Sequence, residues 1–167
     1  MGRIKVAVTN TGPLIHFCEL KEQRLLPLLV QELLTPEEVV QELARTYGQV
    51  RSFLRVKTLM GKERDYVKFL MQQFELQLGE AAAMALAMRE KVKLFFTDDL
   101  TARIAAKRLG LEPHGTLGLL LRAFREKRLS KEEAIRSLYA LRQTSLFITS
   151  DLIRWAVLEV KKYKIKG

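Results

Sequence analysis

The segment from Leu78 to Arg103 constrains the fold more than any other part of the chain. Gly79-Glu80 opens an alanine-rich stretch that predicts a helix to about Glu90. Val92-Lys93-Leu94-Phe95-Phe96 predicts a buried strand, and Thr97-Asp98-Asp99, with Arg103 four residues on, leads into a further helix. Helix, strand and helix in direct succession belong to an α/β sheet protein. In an open sheet of that kind, helix starts and strand carboxyl ends border the crevice where ligands bind, so Glu80 and Asp99 are placed to converge. Converging carboxylates favour a bound cation.

At 167 residues the chain fits one domain with a substantial core and no need of disulfide support. Cys18 is the only cysteine, which rules out an intrachain disulfide, and no Cys/His cluster has zinc spacing. The apolar run from Ile4 to Val8 is too short for a signal peptide, and no segment reaches the length of a membrane span, so the expected location is cytoplasmic. The net charge of +10 is uneven: residues 120–167 hold 12 of the 29 Lys/Arg but only 5 of the 19 Asp/Glu. Basic surface around an acidic pocket suits a metal-dependent enzyme acting on a polyanion. A solvated, heat-adapted surface accounts for the same charge, and the basic run from Lys161 to Lys166 can also be a frayed tail. A single asparagine, Asn10, among many Lys and Arg fits a heat-adapted source.

The remaining pattern supplies the frame. A strand at Ile4–Val8 is followed by Gly12-Pro13 and a helix over about 14–20, then by helical residues within 24–31 and a brief strand at Leu33-Leu34. Thr35-Pro36-Glu37-Glu38 has the form of a capping box opening a helix to Arg45. A strand is expected within 53–56, and Val67, Leu70, Met71 and Phe74 form the stripe of another helix. Ile104, Ala105 and Leu109 stripe the helix after Asp99, ending at Gly110, with an edge strand or connection at 111–115. The rest is helical: Leu117, Leu120, Leu121 and Phe124 on one helix; Ile135, Leu138 and Tyr139 on a second, capped by Ser130 with Glu133; and Ile153, Ala156, Val157 and Val160 on a third, capped by Ser150. His16 and His114 have no partner at metal spacing and are expected to be packed or surface imidazoles.

Val8-Thr9-Asn10-Thr11-Gly12-Pro13-Leu14-Ile15, Pro36 to Leu43, Leu78-Gly79-Glu80-Ala81, Thr97-Asp98-Asp99 with Arg103, and Gly115-Thr116-Leu117-Gly118 occur in that order. Together they resemble PIN-domain proteins of the small, prokaryotic, VapC-like branch, over about residues 4–126. The resemblance implies a three-layer α/β/α fold with a central, mainly parallel sheet in residues 1–126. Residues 127–167 would be a helical carboxyl-terminal extension packed on the same domain. It also implies an endoribonuclease dependent on Mg2+ or Mn2+, often the toxin of a toxin-antitoxin pair with an antitoxin protein partner, and often a homodimer. By position, the family's four acids fall on Asn10, Glu42, Glu80 and Asp99. These four are the candidate metal ligands, the three carboxylates are the candidate catalytic residues, and Thr11, Arg103 and Thr116 are the candidate substrate contacts.

The residue types fit that chemistry. Mg2+ takes oxygen ligands, keeps several waters, and uses one or two carboxylates together with phosphate oxygens. Asn10 departs from the family pattern: its Oδ1 can still ligate but brings no charge. The alternative reading is therefore a non-catalytic PIN-like module that binds RNA or a protein. Each candidate also has a plain structural role open to it: a solvated helix face for Glu42, a helix cap for Asp98, and for Arg103 a salt bridge to Asp98 or Asp99.

Overall fold

Parallel strands cannot be joined by hairpins, so each crossover has to carry a helix, and the alternation of strands and helices follows from that requirement. The computed structural model describes residues 2–164. Its strands are β1 (Ile4–Thr9), β2 (Val30–Pro36), β3 (Leu54–Lys57), β4 (Leu94–Phe96) and β5 (Glu112–His114). They form one sheet in the order β3-β2-β1-β4-β5, and every neighbouring pair is parallel. The helices are α1 (Thr11–Glu19), α2 (Leu25–Leu29), α3 (Glu37–Leu43), α4 (Tyr47–Val50), α5 (Lys62–Phe74), α6 (Leu78–Glu90), α7 (Leu100–Arg108), α8 (Thr116–Arg125), α9 (Lys131–Ala140) and α10 (Ser150–Lys162). They flank the sheet in a three-layer α/β/α arrangement, and α8, α9 and α10 pack on one another. Among the described residues no helix is long and apolar enough to cross a membrane.

The chain runs outward from β1 to β2 and β3, then returns to add β4 and β5 on the other side of β1. The strand order therefore reverses between β1 and β4, and a crevice opens beyond the carboxyl ends of these two strands. The register aligns Thr9 with Phe96, so Asn10 and Thr97 leave the sheet side by side. The Asn10 N–H donates to Phe96 O at 3.1 Å.

The helix α6 shows why its sequence has no stripe. It lies against β1, β2 and β4 on one side and against α3 and α5 on the other, and the whole run from Ala81 to Ala87 is buried. A helix covered all round is apolar all round, and alanine lets its neighbours approach closely.

Several local expectations are corrected. The first helix starts at Thr11, before the expected Leu14, because Pro13 fits the first turn, where its missing N–H is not needed. The strand expected at Leu33-Leu34 extends to Pro36 and absorbs the supposed capping box: Thr35 Oγ1 donates across the sheet to Thr9 O at 3.0 Å, and α3 begins at Glu37. That helix stops at Leu43, short of Arg45, where Ala44 adopts a φ of 47°. Ile104 is 49% exposed, since α7 packs through Ala102, Ala105 and Ala106 instead. Tyr139 is likewise exposed, with the Arg142 guanidinium 5.4 Å above its ring. Thr149, in place of Ser150, caps α10 by accepting from Leu152 N–H at 3.3 Å.

The capping box at Ser130 does form: Ser130 N–H donates to Glu133 Oε2, and Glu133 N–H to Ser130 Oγ. The basic run 161–166 lies partly outside the described residues. Within them α10 continues to Lys162, and the Tyr163 ring packs edge-on against Phe124.

Candidate active site

The crevice between β1 and β4 is a cleft of about 330 Å³ whose polar lining includes Asn10, Thr11, His16, Glu42, Glu80, Asp98 and Asp99. Four elements supply the acidic positions: Asn10 follows β1, Glu42 sits in the last turn of α3, Glu80 lies in the first turn of α6, and Asp99 caps α7. A larger cavity, about 650 Å³ between α8, α9 and the end of α10, has no carboxylate in its wall.

Local chemistry fixes each of these side chains. Thr11 Oγ1 donates to Glu42 Oε2 at 2.6 Å, and the Glu42 carboxylate lies against the backbone of Gly79, where a Cβ would overlap Glu42 Oε1. A side chain at 79 would therefore have to push the Glu42 carboxylate aside. The Gln77 N–H donates to Glu80 Oε2 at 3.2 Å, and Asp99 Oδ1 accepts from Ala102 N–H at 2.7 Å. Burial raises the Glu80 pKa above its ordinary value; the Gln77 N–H opposes this, and the charges of Asp99 and Glu42 add to it. The three carboxylates thus act on one another electrostatically.

Asn10 is 4% exposed. Its Nδ2 donates to Thr97 Oγ1 at 2.7 Å, while its Oδ1 is buried with no hydrogen-bond partner among the described residues. A buried acceptor without a partner is costly unless something else satisfies it. No three His, Cys, Asp or Glu side chains among the described residues stand close enough to hold an ion alone. The Glu42, Glu80 and Asp99 carboxylates and the Asn10 carbonyl gather oxygen donors here, while Asp98 and His16 are hydrogen-bonded to each other. That set fits a hard cation that keeps most of its water, and not a closed structural cage.

Beside the cleft, sequence reasoning missed a network. Asp98 accepts from Thr116 N–H at 2.6 Å, from Thr116 Oγ1 at 2.5 Å and from His16 Nδ1 at 2.6 Å. A carboxylate has no proton to give, so Nδ1 of His16 is the donor. Thr116, expected among the substrate contacts, is wholly buried and commits both donors to Asp98. His16 and Asp98 are 82 positions apart, and no local pattern could have paired them. Gly115 permits the arrangement, because a Cβ there would come within 2.8 Å of Asp98 Oδ1 and 3.1 Å of an Arg103 guanidinium nitrogen. Arg103 itself forms no ion pair among the described residues; it lines an adjoining groove.

No curated protein and no solved structure matches the chain. A family sequence profile described as a PIN domain matches residues 6–162, a span that takes in α9 and α10 as well as the sheet. PIN domains are generally nucleases, and an oxygen-lined crevice at the reversal of a β3-β2-β1-β4-β5 sheet is consistent with that general chemistry. By fold and by sequence, the chain belongs to the PIN-domain family.

Proposed function

We propose that the protein is a divalent-metal-dependent endoribonuclease of the VapC-like branch, acting as a homodimer and as the toxin partner of an antitoxin. One observation carries the ribonuclease reading: Asn10, Glu42, Glu80 and Asp99, from four separate elements, line a single cleft at the β1/β4 switch point. Glu80 and Asp99 would hold Mg2+ or Mn2+, with Glu42 and the Asn10 carbonyl beside them. When bound, the ion supplies charge neutralisation at the scissile phosphate and activation of water.

The chain's own residues set the geometry. The Ala102 N–H fixes one Asp99 oxygen and leaves the other for the cleft. The Thr11 hydroxyl turns Glu42 inward. Glu80 or Asp99 orients the attacking water. Arg103, one turn into α7, binds a flanking backbone phosphate.

The test is cleavage of RNA with Mg2+ or Mn2+ by the native protein, by Glu80→Gln and by Asn10→Asp. The native protein should cut, Glu80→Gln should lose at least about 100-fold in rate, and Asn10→Asp should cut faster. No cleavage by either the native protein or Asn10→Asp would overturn the reading. The uncharged Asn10 favours a second one, a binding module without catalysis. That module would bind RNA in EDTA and keep its affinity when Glu42, Glu80 and Asp99 are all changed to Ala.

A further inference from the structure

A second groove of about 520 Å³ adjoins the acidic cleft and shares Asp98, Leu146 and Phe147 with it. It runs along the end of β5, the start of α8 and the first turns of α10, and its open wall carries Arg103, His114, Arg125, Phe147, Leu152 and Trp155. Phe147 is 96% exposed and Trp155 is 49% exposed. Phe147, Leu152 and Trp155 are all exposed and line the same groove, and apolar side chains grouped in this way are a feature of interaction sites.

Phe147 is nevertheless held in place. It lies in the segment before α10, where Ser145 donates its N–H and its hydroxyl to the Glu19 carboxylate. Thr144 Oγ1 donates to Leu141 O at 2.7 Å. Leu146 and Ile148 on either side pack against the core, so Phe147 between them points outward.

The charge of this groove is opposite to that of the cleft. Asp98 is the only carboxylate in its wall, and its oxygens are engaged by Thr116 and His16. Arg103 and Arg125 form no ion pair among the described residues. Free guanidinium groups interleaved with exposed aromatic rings are what an unpaired nucleic-acid strand needs: cations for its phosphates and flat faces for its bases. In an A-form duplex those base faces are already stacked within the helix and out of reach.

We propose that this groove is a base-stacking subsite for single-stranded RNA. Phe147 and Trp155 receive bases of the strand, Arg103 and Arg125 hold its phosphates, and the chain continues past Phe147 into the acidic cleft. The proposal rests on RNA being the polymer on which that cleft acts.

Trp155 is the only tryptophan, so its fluorescence reports on this groove alone. The experiment titrates the native protein, in EDTA, with a short mixed-sequence RNA strand, with the same sequence as a duplex, and with inorganic polyphosphate. The single strand should quench Trp155, and the duplex and polyphosphate should not. Phe147→Ala removes a fully exposed ring without disturbing the fold, and it should weaken strand binding by about fivefold or more.

Four outcomes would overturn the subsite: equal quenching by polyphosphate, unchanged affinity in Phe147→Ala, RNA binding without any change at Trp155, or a Trp155 shift with protein concentration in the absence of RNA. The last would mean that a second copy of the chain covers the face. Quenching by RNA, with no cleavage by the native protein or by Asn10→Asp in Mg2+ or Mn2+, would leave the subsite standing and remove the ribonuclease reading, so the two fail separately.

Discussion

Asp98 and Asp99 are adjacent in sequence, yet they belong to two differently built regions. The side chain of Asp98 is 8% exposed and meets three donors, two from α8 and one from α1, so it ties those helices to the end of β4. Asp99 is exposed, accepts one hydrogen bond from its own helix, and faces Glu80 and Glu42 across the cleft. Both side chains reach the lining of the cleft, but their hydrogen bonds differ. One step along the chain therefore separates a carboxylate that holds the fold from one left open to a ligand.

The largest expected effect breaks this pair apart by stability. Asp98→Ala leaves the Thr116 N–H and hydroxyl and His16 Nδ1 without their acceptor in a buried setting, which costs about 3 kcal/mol. In a chain of this length that lowers Tm by roughly 6–12 °C. Asp99→Ala removes only a helix cap, at about 1 kcal/mol. Thermal denaturation of both variants measures the difference, and equal losses would erase the distinction.

A second effect sharpens the electrostatic side. Asn10→Asp adds a unit charge beside the three carboxylates, and it should tighten Mn2+ binding by at least about tenfold, read by calorimetry. At an effective dielectric of about 20, a charge a few ångströms from an ion contributes more than the ~1.4 kcal/mol that a tenfold change requires. Unchanged affinity would place the ion away from Asn10.

The acidic cleft and the neighbouring groove should also respond to pH with opposite signs. Burial, with the charges of Asp99 and Glu42, raises Glu80, so the folded chain holds that proton more tightly than the unfolded chain. The resulting stability is complete below the ordinary value of 4.5 and is lost as pH rises through the raised one. Burial lowers His114, so its contribution is complete above the ordinary 6.5 and is lost as pH falls toward the lowered value. Urea midpoints across pH should show both slopes, with Glu80→Gln flattening the first and His114→Asn the second. A slope that persists in its variant would assign it to another group.

The smallest effect separates stability from function at one atom. Gly79→Ala improves helix propensity by up to about 1 kcal/mol, while its new Cβ displaces the Glu42 carboxylate from the cleft. Stability should hold or rise slightly as nuclease rate falls. A drop in stability with unchanged rate would mean that the clash is relieved elsewhere.

Much of this was legible in the sequence because it is local or periodic. The alanine run and the apolar strand after it define α6 and β4, and the strand ends bring Asn10 and Asp99 together once the sheet order is known. What could not be read comes from long-range contacts. Thr35 has the form of a cap but bonds to Thr9 across the sheet, because β2 needs two more residues of pairing. Thr116, a candidate substrate contact by position, is instead bound to Asp98 from another element. Ile104 and Tyr139 carry the right period for burial, but the faces they occupy have no neighbour to cover them. The groove at Phe147 is assembled from β5, α8 and α10 and has no linear signature.

The central claim is tested most directly by the position of Mn2+ in a crystal of the protein soaked in that ion, read from its anomalous signal. A peak is expected in the β1/β4 cleft within bonding distance of Glu80 and Asp99, retained in Asp98→Asn and lost in Asp99→Asn. A cleft without a peak at saturating Mn2+, or a peak that survives Asp99→Asn unchanged, would contradict it.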